Sequence, residues 1–223
     1  MTVATLFDFD GVLVDSELVH FAAFNDVLAA RGLAIVEQEY FDRYLSLDDA
    51  GVFRAVLAHA GSAPDDEAVR ALVAAKAPRF FARFADAFRV FPGAEALVSR
   101  RASRGPIGIV SGALRAEIEF ALDRMGVRSL FSFVVSAEDT PESKPHPAPY
   151  RRAAWELAET LGHRGRALVI EDSVGGIASA KGAGLRCVGV AHSYDAEALV
   201  AAGADAVAPD LAGLTDALLE GEG

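Results

Sequence analysis

Residues 5 to 17 of the chain are TLFDFDGVLVDSE, which joins a short apolar run to closely spaced aspartates. The apolar run at residues 3–7 is typical of a strand buried inside a parallel sheet. Asp8 and Asp10 follow where that strand ends, and Gly11 allows the backbone to turn sharply. Two carboxylates this close repel each other unless a cation or a shared proton relieves them. On this stretch alone, an acidic turn without function and a built site are both open.

The composition limits the kind of protein this is. The chain has 223 residues, of which 52% are hydrophobic, enough for one α/β domain with an insertion or for two small domains. Its formal net charge of -11 argues against binding nucleic acid or an anionic membrane through bulk electrostatics. No apolar segment is long enough to span a bilayer, and the single cysteine, Cys187, predicts a buried thiol. We therefore expect a soluble, cytoplasmic protein, a monomer or weak dimer, with neither a nucleic-acid nor a membrane partner.

The sequence pattern changes twice along the chain. Residues 15–89 have apolar side chains at helical spacing, an expected bend at Pro78 and no obvious strand. Later, short apolar runs (PIGIV, FVV, ALVI, RCVGV and AVA) alternate with helical segments, which is the pattern of βαβ units in a doubly wound parallel sheet. We therefore predict an α/β core of residues 1–14 plus 90–223. A small all-α domain of residues 15–89, inserted after the first strand, is predicted to act as a lid.

Side chains suited to chemistry follow four of the predicted strands. In chain order they are Asp8 and Asp10, Ser111 and Gly112, Lys144, and Glu171 and Asp172. Because the carboxyl ends of parallel strands meet at one edge of a sheet, we expect these residues to lie close together. A carboxylate cluster suits Mg²⁺, a Ser-Gly turn offers N–H groups and a hydroxyl to an anion, and a lysine offers compact charge to a phosphoryl oxygen.

Four segments, DFDGVLVDS, VSG, SKPHP and IEDSVGGI, resemble the four ordered motifs of the haloacid dehalogenase superfamily. Together they cover the whole predicted sheet domain, which the resemblance makes a Rossmann-like core. The helical insertion resembles the small cap domain of the phosphatase and β-phosphoglucomutase branch. The resemblance therefore implies an enzyme that transfers phosphoryl groups and uses Mg²⁺.

The same resemblance implies a role for each residue that matches a motif. It makes Asp8 the nucleophile and Asp10 the general acid and base. It implies that phosphate is bound by Ser111, Gly112 and Lys144. It also implies that Mg²⁺ is bound by Asp8, the backbone carbonyl of Asp10 and Asp172, and by Glu171 directly or through water. Dehalogenase members lack the second aspartate, so Asp10 points to a phosphatase or a phosphomutase.

The function expected from these residues is hydrolysis of a small phosphorylated metabolite, a sugar phosphate or a phosphoglycolate-like ester, through an aspartyl-phosphate. A β-phosphoglucomutase-like hexose-phosphate mutase is one alternative, and a relative that only binds a phosphorylated ligand is another. Phosphonate hydrolysis is a third, and it is disfavoured because Lys76, the one lysine of the insertion, lies far from the segment that chemistry uses.

Three residues of the insertion are candidates for contact with substrate: His20, Ser46 and Lys76. His20 and Lys76 match a histidine and a lysine of the mutase branch, and Ser46 lies in YLSLDDAGVF, which resembles the specificity loop of this cap class. For each of them, packing alone is the alternative. In the mutase branch, an arginine in this loop binds a second phosphate. The present chain has Asp48 and Asp49 in that stretch. An acidic loop suits a second phosphate poorly, and this favours hydrolysis.

Overall fold

The computed structural model describes residues 3–45, 47–163 and 165–221. Ser46, one of the three candidate substrate residues of the insertion, lies outside the described residues. Within these ranges, no helix has both the length and the apolar character needed to cross a membrane.

The chain divides into two compact units, one of residues 1–14 and 90–223 and the other of residues 15–89. Their helices, in chain order, are α1 (Glu17–Leu28), α2 (Glu37–Glu39), α3 (Asp49–His59), α4 (Asp66–Asp86), α5 (Ala94–Ala102), α6 (Arg115–Arg124), α7 (Ala148–Trp155), α8 (Val174–Gly182), α9 (Ala196–Ala201) and α10 (Asp216–Glu220). Val14 and Val90, where the chain leaves the first unit and returns to it, pair with each other as an antiparallel bridge.

A six-stranded sheet is the centre of the first unit. Its strands are β1 (Ala4–Phe7), β2 (Ile107–Val110), β3 (Phe133–Val135), β4 (Ala167–Glu171), β5 (Arg186–Val190) and β6 (Ala206–Ala208). All neighbours pair in parallel, in the order β3-β2-β1-β4-β5-β6. Each apolar run expected to be a strand is one, so the predicted doubly wound parallel sheet is confirmed. The strand order reverses beside β1, where open sheets of this kind bind ligands.

The register of β1 brings three strand ends to the same height. Phe7 aligns with Ile109 of β2 on one side and with Ile170 of β4 on the other. All four residues of β1 are buried, as expected of a central strand covered on both faces. The residues that directly follow Phe7, Ile109 and Ile170 therefore meet at one edge of the sheet.

The apolar core of the first unit fixes the sheet against its helices. Leu6 and Val169 from the sheet pack in one cluster with Tyr150 of α7 and Ile177 of α8. Cys187 of β5 lies in the same cluster as a free, buried thiol, as expected, and burial raises its pKa well above the ordinary value. These contacts hold the carboxyl ends of the strands in place for the site.

In the described part of the second unit, 15–45 and 47–89, all regular secondary structure is helical and no strand is present. A π-helical turn, Tyr40–Tyr44, follows α2, and α4 continues through Pro78. Phe24 and Phe53 meet edge to face in a core of their own, with ring centroids 5.2 Å apart. The unit thus has the separate apolar core expected of a domain.

A fully buried lysine lies inside this second unit. The ammonium of Lys76, in α4, is 2.5 Å from Oδ1 of Asp49 and 2.7 Å from Nδ1 of His20. It also lies 4.3 Å from the ring centroid of Phe24. Because a buried ammonium is stable only when its charge is offset, Asp49 is its counter-charge. The adjacent Asp48 has a different role, since it caps the N-terminus of α3.

We predict that Asp49→Asn destabilises the protein more than Lys76→Met does. The first change leaves a buried ammonium without its counter-charge and costs about 3 kcal/mol, whereas the second removes the buried charge itself. Urea unfolding of the two variants measures the difference. The matched control is Asp66→Asn, which breaks the exposed ion pair with Arg54 and leaves the free energy of unfolding almost unchanged. If Asp49→Asn and Asp66→Asn lowered the free energy of unfolding equally, Asp49 would not be the counter-charge of Lys76.

Candidate functional site

Carboxylates from two neighbouring strands converge at the edge where β1 ends. Asp8 directly follows β1, Glu171 is the last residue of β4, and Asp172 comes next. Each offers an oxygen, and these three oxygens lie within 4.8 Å of one another, all from buried residues. The strand register explains this convergence. Phe7 of β1 pairs with Ile170 of β4, and Asp8 and Glu171 are the residues that follow them.

Lys144, from the loop that follows β3, lies between these carboxylates. Its ammonium donates to Oδ1 of Asp8 and to Oε1 of Glu171, both at 2.6 Å, and to the carbonyl oxygen of Val110 at 2.8 Å. An ammonium has three hydrogens, so each has a partner. Burial opposes the charge on Lys144, but the carboxylates of Asp8 and Glu171 outweigh it and raise its pKa above the ordinary value. The lysine is therefore fixed and charged.

Charge at this edge is unbalanced towards the negative. Burial raises the pKa of Asp8 to about 8, opposed by Lys144 and reinforced by Glu171 and Asp10. One ammonium faces several carboxylates, and a divalent cation with hard oxygen ligands would offset the remaining charge. The donor set therefore fits Mg²⁺.

Asp10 lies in a tight turn that begins directly after Asp8. The turn is closed by the amide of Leu13, which donates to the carbonyl of Phe9 at 2.9 Å, and by the amide of Gly11, which donates to the carbonyl of Val14 at 2.9 Å. Gly11 has φ +78, and a side-chain carbon there would overlap the carboxylate of Asp172. The turn therefore requires glycine both for its backbone angle and for the close approach of Asp172.

Ser111 and Gly112 follow β2 at the same edge of the sheet. Ser111 is buried, its amide donates to the carbonyl of Val135 at 2.9 Å, and its hydroxyl accepts from the amide of Ala113 at 3.0 Å. A side-chain carbon on Gly112 would meet nothing within 4 Å, so the backbone there is open. This turn has a hydroxyl at Ser111 and an open backbone at Gly112, as an anion site would need; the anion-binding role that the sequence predicts stays a prediction.

Two further residues, not selected from the sequence, hold Glu171. Tyr150, fully buried in α7, donates its hydroxyl to Oε1 of Glu171 at 2.8 Å. Burial, with the charges of Glu171 and Asp8, raises the pKa of Tyr150 well above its usual range, so it stays a donor. Ser173 donates to Oε2 of Glu171 at 3.1 Å and also caps α8. Tyr150 comes only six residues after Lys144 in the sequence. A tyrosine hydroxyl usually finds a hydrogen-bond partner when it is buried, and this nearness to a site residue is the signal that could have selected it.

Two residues of the loop that follows β5, His192 and Ser193, also contact the site. The hydroxyl of Ser193 donates to Oδ2 of Asp172, and Nδ1 of His192 lies 2.7 Å from the carbonyl oxygen of Gly11. Sequence reasoning passed over them, although the strand-end argument applies to β5 as it does to β1, β2 and β4. By contrast, His20 and Lys76 lie in the second unit and bond to each other there.

Comparison with known proteins gives this arrangement a context. The model of a protein family described as haloacid dehalogenase-like hydrolase matches residues 5–190. Phosphoglycolate phosphatase of Rhodospirillum rubrum is 33% identical, covering 97% of this chain and 90% of that protein. Validoxylamine A 7'-phosphate phosphatase of Streptomyces hygroscopicus subsp. limoneus is 32% identical, covering 95% of each chain.

Solved structures of one further relative align with nearly the whole chain. CbbY from Rhodobacter sphaeroides in complex with phosphate has a TM-score of 0.84 and 28% identity, and the match covers 99% of this chain and 100% of that one. A mutant of the same protein in complex with xylulose-(1,5)bisphosphate has a TM-score of 0.80 and 29% identity, covering 96% and 99%. The likeness therefore includes both units.

We predict that Asp8→Asn raises the thermal stability of the cation-free protein at neutral pH. The carboxyl of Asp8 has a folded-state pKa raised from 3.8 to about 8, so the folded state binds the proton more tightly than the unfolded state. The stability that this proton provides is complete below pH 4 and is lost as the pH rises towards 8. The difference in melting temperature between the variant and the wild type, both with chelator, should grow from pH 5 to pH 8. A difference that does not change with pH would contradict this prediction.

Proposed function

The chain belongs to the haloacid dehalogenase-like hydrolase family, and we propose that this phosphatase is a Mg²⁺-dependent, cytoplasmic enzyme that hydrolyses small phosphomonoesters through an aspartyl-phosphate. The observation that carries the proposal is the cluster of buried carboxylates of Asp8, Glu171 and Asp172, of which Asp8 and Glu171 bind the ammonium of Lys144. A nucleophile, a fixed cation and a hard-ion donor set in one place suit phosphoryl transfer better than binding alone.

Asp8 is the nucleophile in this proposal. One of its oxygens, Oδ1, is held by Lys144, so the orientation of the carboxylate is fixed before substrate binds. In the first step the carboxylate attacks phosphorus, the bond from phosphorus to the ester oxygen breaks, and Asp10 gives that oxygen a proton. In the second step Asp10 takes a proton from water, the water oxygen attacks phosphorus, and the bond to Asp8 breaks to release phosphate.

The positive charge of the site has two sources in this mechanism. Lys144 stays protonated and stabilises negative charge on the phosphoryl oxygens, while the turn offers the hydroxyl of Ser111 and the open backbone of Gly112. Mg²⁺ would be held by Asp8, Asp172 and the backbone carbonyl of Asp10, with the charge of Glu171 beside it. When bound, the ion would supply the charge that offsets the crowded carboxylates and the phosphate.

The substrate class follows from the relatives and from the second unit. Two relatives are phosphatases of phosphoglycolate and of a phosphorylated validoxylamine, and a third binds a sugar bisphosphate, so we propose a small phosphorylated metabolite. We also propose that residues 15–89 are the cap domain and determine which ester is accepted. Lys76, the one lysine of that unit, is paired with Asp49, which weighs against a second phosphate and therefore against the mutase.

We predict that the purified protein releases phosphate from a panel of phosphoglycolate, hexose phosphates and p-nitrophenyl phosphate in the presence of Mg²⁺, and that chelator abolishes release. Asp8→Asn should reduce the rate to background because the nucleophile is lost, and Asp10→Ala should reduce it by about 10²-fold or more. Inorganic phosphate is measured by a coupled assay, with equal circular dichroism spectra as the test of folding.

Asp210→Asn is the matched control for these variants. Asp210 is an exposed aspartate that caps a short turn in the same unit, and its replacement should leave the rate unchanged. Full activity of Asp8→Asn would overturn the mechanism. Conversion of β-glucose 1-phosphate to glucose 6-phosphate without phosphate release would establish the mutase in its place.

A further inference from the structure

The loop that follows β5 contacts the turn that carries Asp10. Nδ1 of His192 lies 2.7 Å from the carbonyl oxygen of Gly11. Because a carbonyl oxygen only accepts, Nδ1 must carry the hydrogen and donate it. The imidazole ring is also stacked on Phe91, with the ring centroids 4.0 Å apart and the planes 14° apart. His192 is therefore held in place by two separate contacts, and it belongs to none of the four sequence motifs.

Gly11, directly after Asp10, has three close neighbours, and one of them bonds to it. His192 binds its carbonyl oxygen, the carboxylate of Asp172 fills the space beside its Cα, and the hydroxyl of Ser193 would lie 2.9 Å from a side-chain carbon there. Ser193 also donates to Oδ2 of Asp172. Of these two consecutive loop residues, His192 bonds to the backbone of Gly11 itself, and Ser193 holds the carboxylate that lies beside it.

We propose that His192 is a positioning residue for Asp10, and that it acts by holding the carbonyl of Gly11. The proposal rests on the proposed role of Asp10 as general acid. A general acid works only within hydrogen-bonding distance of the oxygen that it protonates, and a displacement of about 1 Å costs on the order of 10²-fold in rate. The backbone angles of Asp10 and Gly11 decide where the Asp10 carboxyl lies, so the bond from His192 controls proton transfer without touching the substrate.

The leaving group provides a readout that a merely structural role would not change. An alkyl oxygen is strongly basic and needs a proton to depart, whereas p-nitrophenolate departs with little help. Under initial-rate conditions kcat/KM includes only the steps up to departure of the leaving group, before hydrolysis of the aspartyl-phosphate. Loss of the positioned acid should therefore lower kcat/KM for an alkyl phosphate far more than for p-nitrophenyl phosphate.

The test compares two matched variants. His192→Phe keeps a flat ring that can stack on Phe91 but has no donor, and His192→Asn keeps a donor near the position of Nδ1 but has no ring. For the best alkyl ester of the panel, either phosphoglycolate or a hexose phosphate, His192→Phe should lose about 10²-fold in kcat/KM and His192→Asn less than about 10-fold. For p-nitrophenyl phosphate, both should stay within about 10-fold of the wild type. If the Phe variant does not fold, His192→Leu replaces it.

Failure of this inference and failure of the proposed function give different results. Asp10→Asn supplies the reference, because it should show the same leaving-group pattern more strongly. If the wild type releases no phosphate from any ester, both proposals are overturned. If Asp10→Asn shows the pattern and His192→Phe does not, only the positioning role is wrong. Equal losses for both esters in both His192 variants, with lowered melting temperatures, would make His192 structural and overturn the inference.

Discussion

Three hydrogen bonds from one ammonium hold the site together. Lys144 reaches from the loop after β3 to Asp8 at the end of β1, to the carbonyl of Val110 at the end of β2, and to Glu171 at the end of β4. Without this charge, the crowded carboxylates would repel one another in a buried environment, where repulsion is strong. The site can form because the parallel register brings these strand ends to one height and the loop after β3 supplies the cation there.

The two units differ in how the charge of a buried lysine is balanced. In the second unit, Lys76 has Asp49 as its counter-charge and His20 as a hydrogen-bond partner, so the pair is neutral. In the first unit, Lys144 faces more carboxylates than it can neutralise, and burial, reinforced by the charges of Glu171 and Asp10, raises the pKa of Asp8. A neutral pair is typical of a structural element, whereas an excess of buried negative charge is typical of a site that takes a cation. The proposed chemistry accordingly belongs to the first unit.

Much of the fold was predictable because it depends on short-range patterns. Buried parallel strands are continuous apolar runs, and the helices between them have apolar side chains at helical spacing. The strand-end argument also selected Asp8, Lys144 and Glu171, which lie together. It did not select Tyr150, because that hydroxyl reaches the site from α7 rather than from a strand end.

Local sequence patterns are enough to predict the sheet, the helical insertion and the residue types at the strand ends, since each depends on neighbours close along the chain. Which partners these residues have depends on the folded chain. The pairing of Asp49 with Lys76, 27 residues away, and of His192 with Gly11, 181 residues away, depends on how distant segments pack. Periodicity carries no information about such contacts, because a side chain's partner across the fold leaves no mark on the local pattern. For this reason an acidic loop proved to contain the counter-charge of a buried lysine, and an unremarked histidine proved to hold the turn beside Asp10.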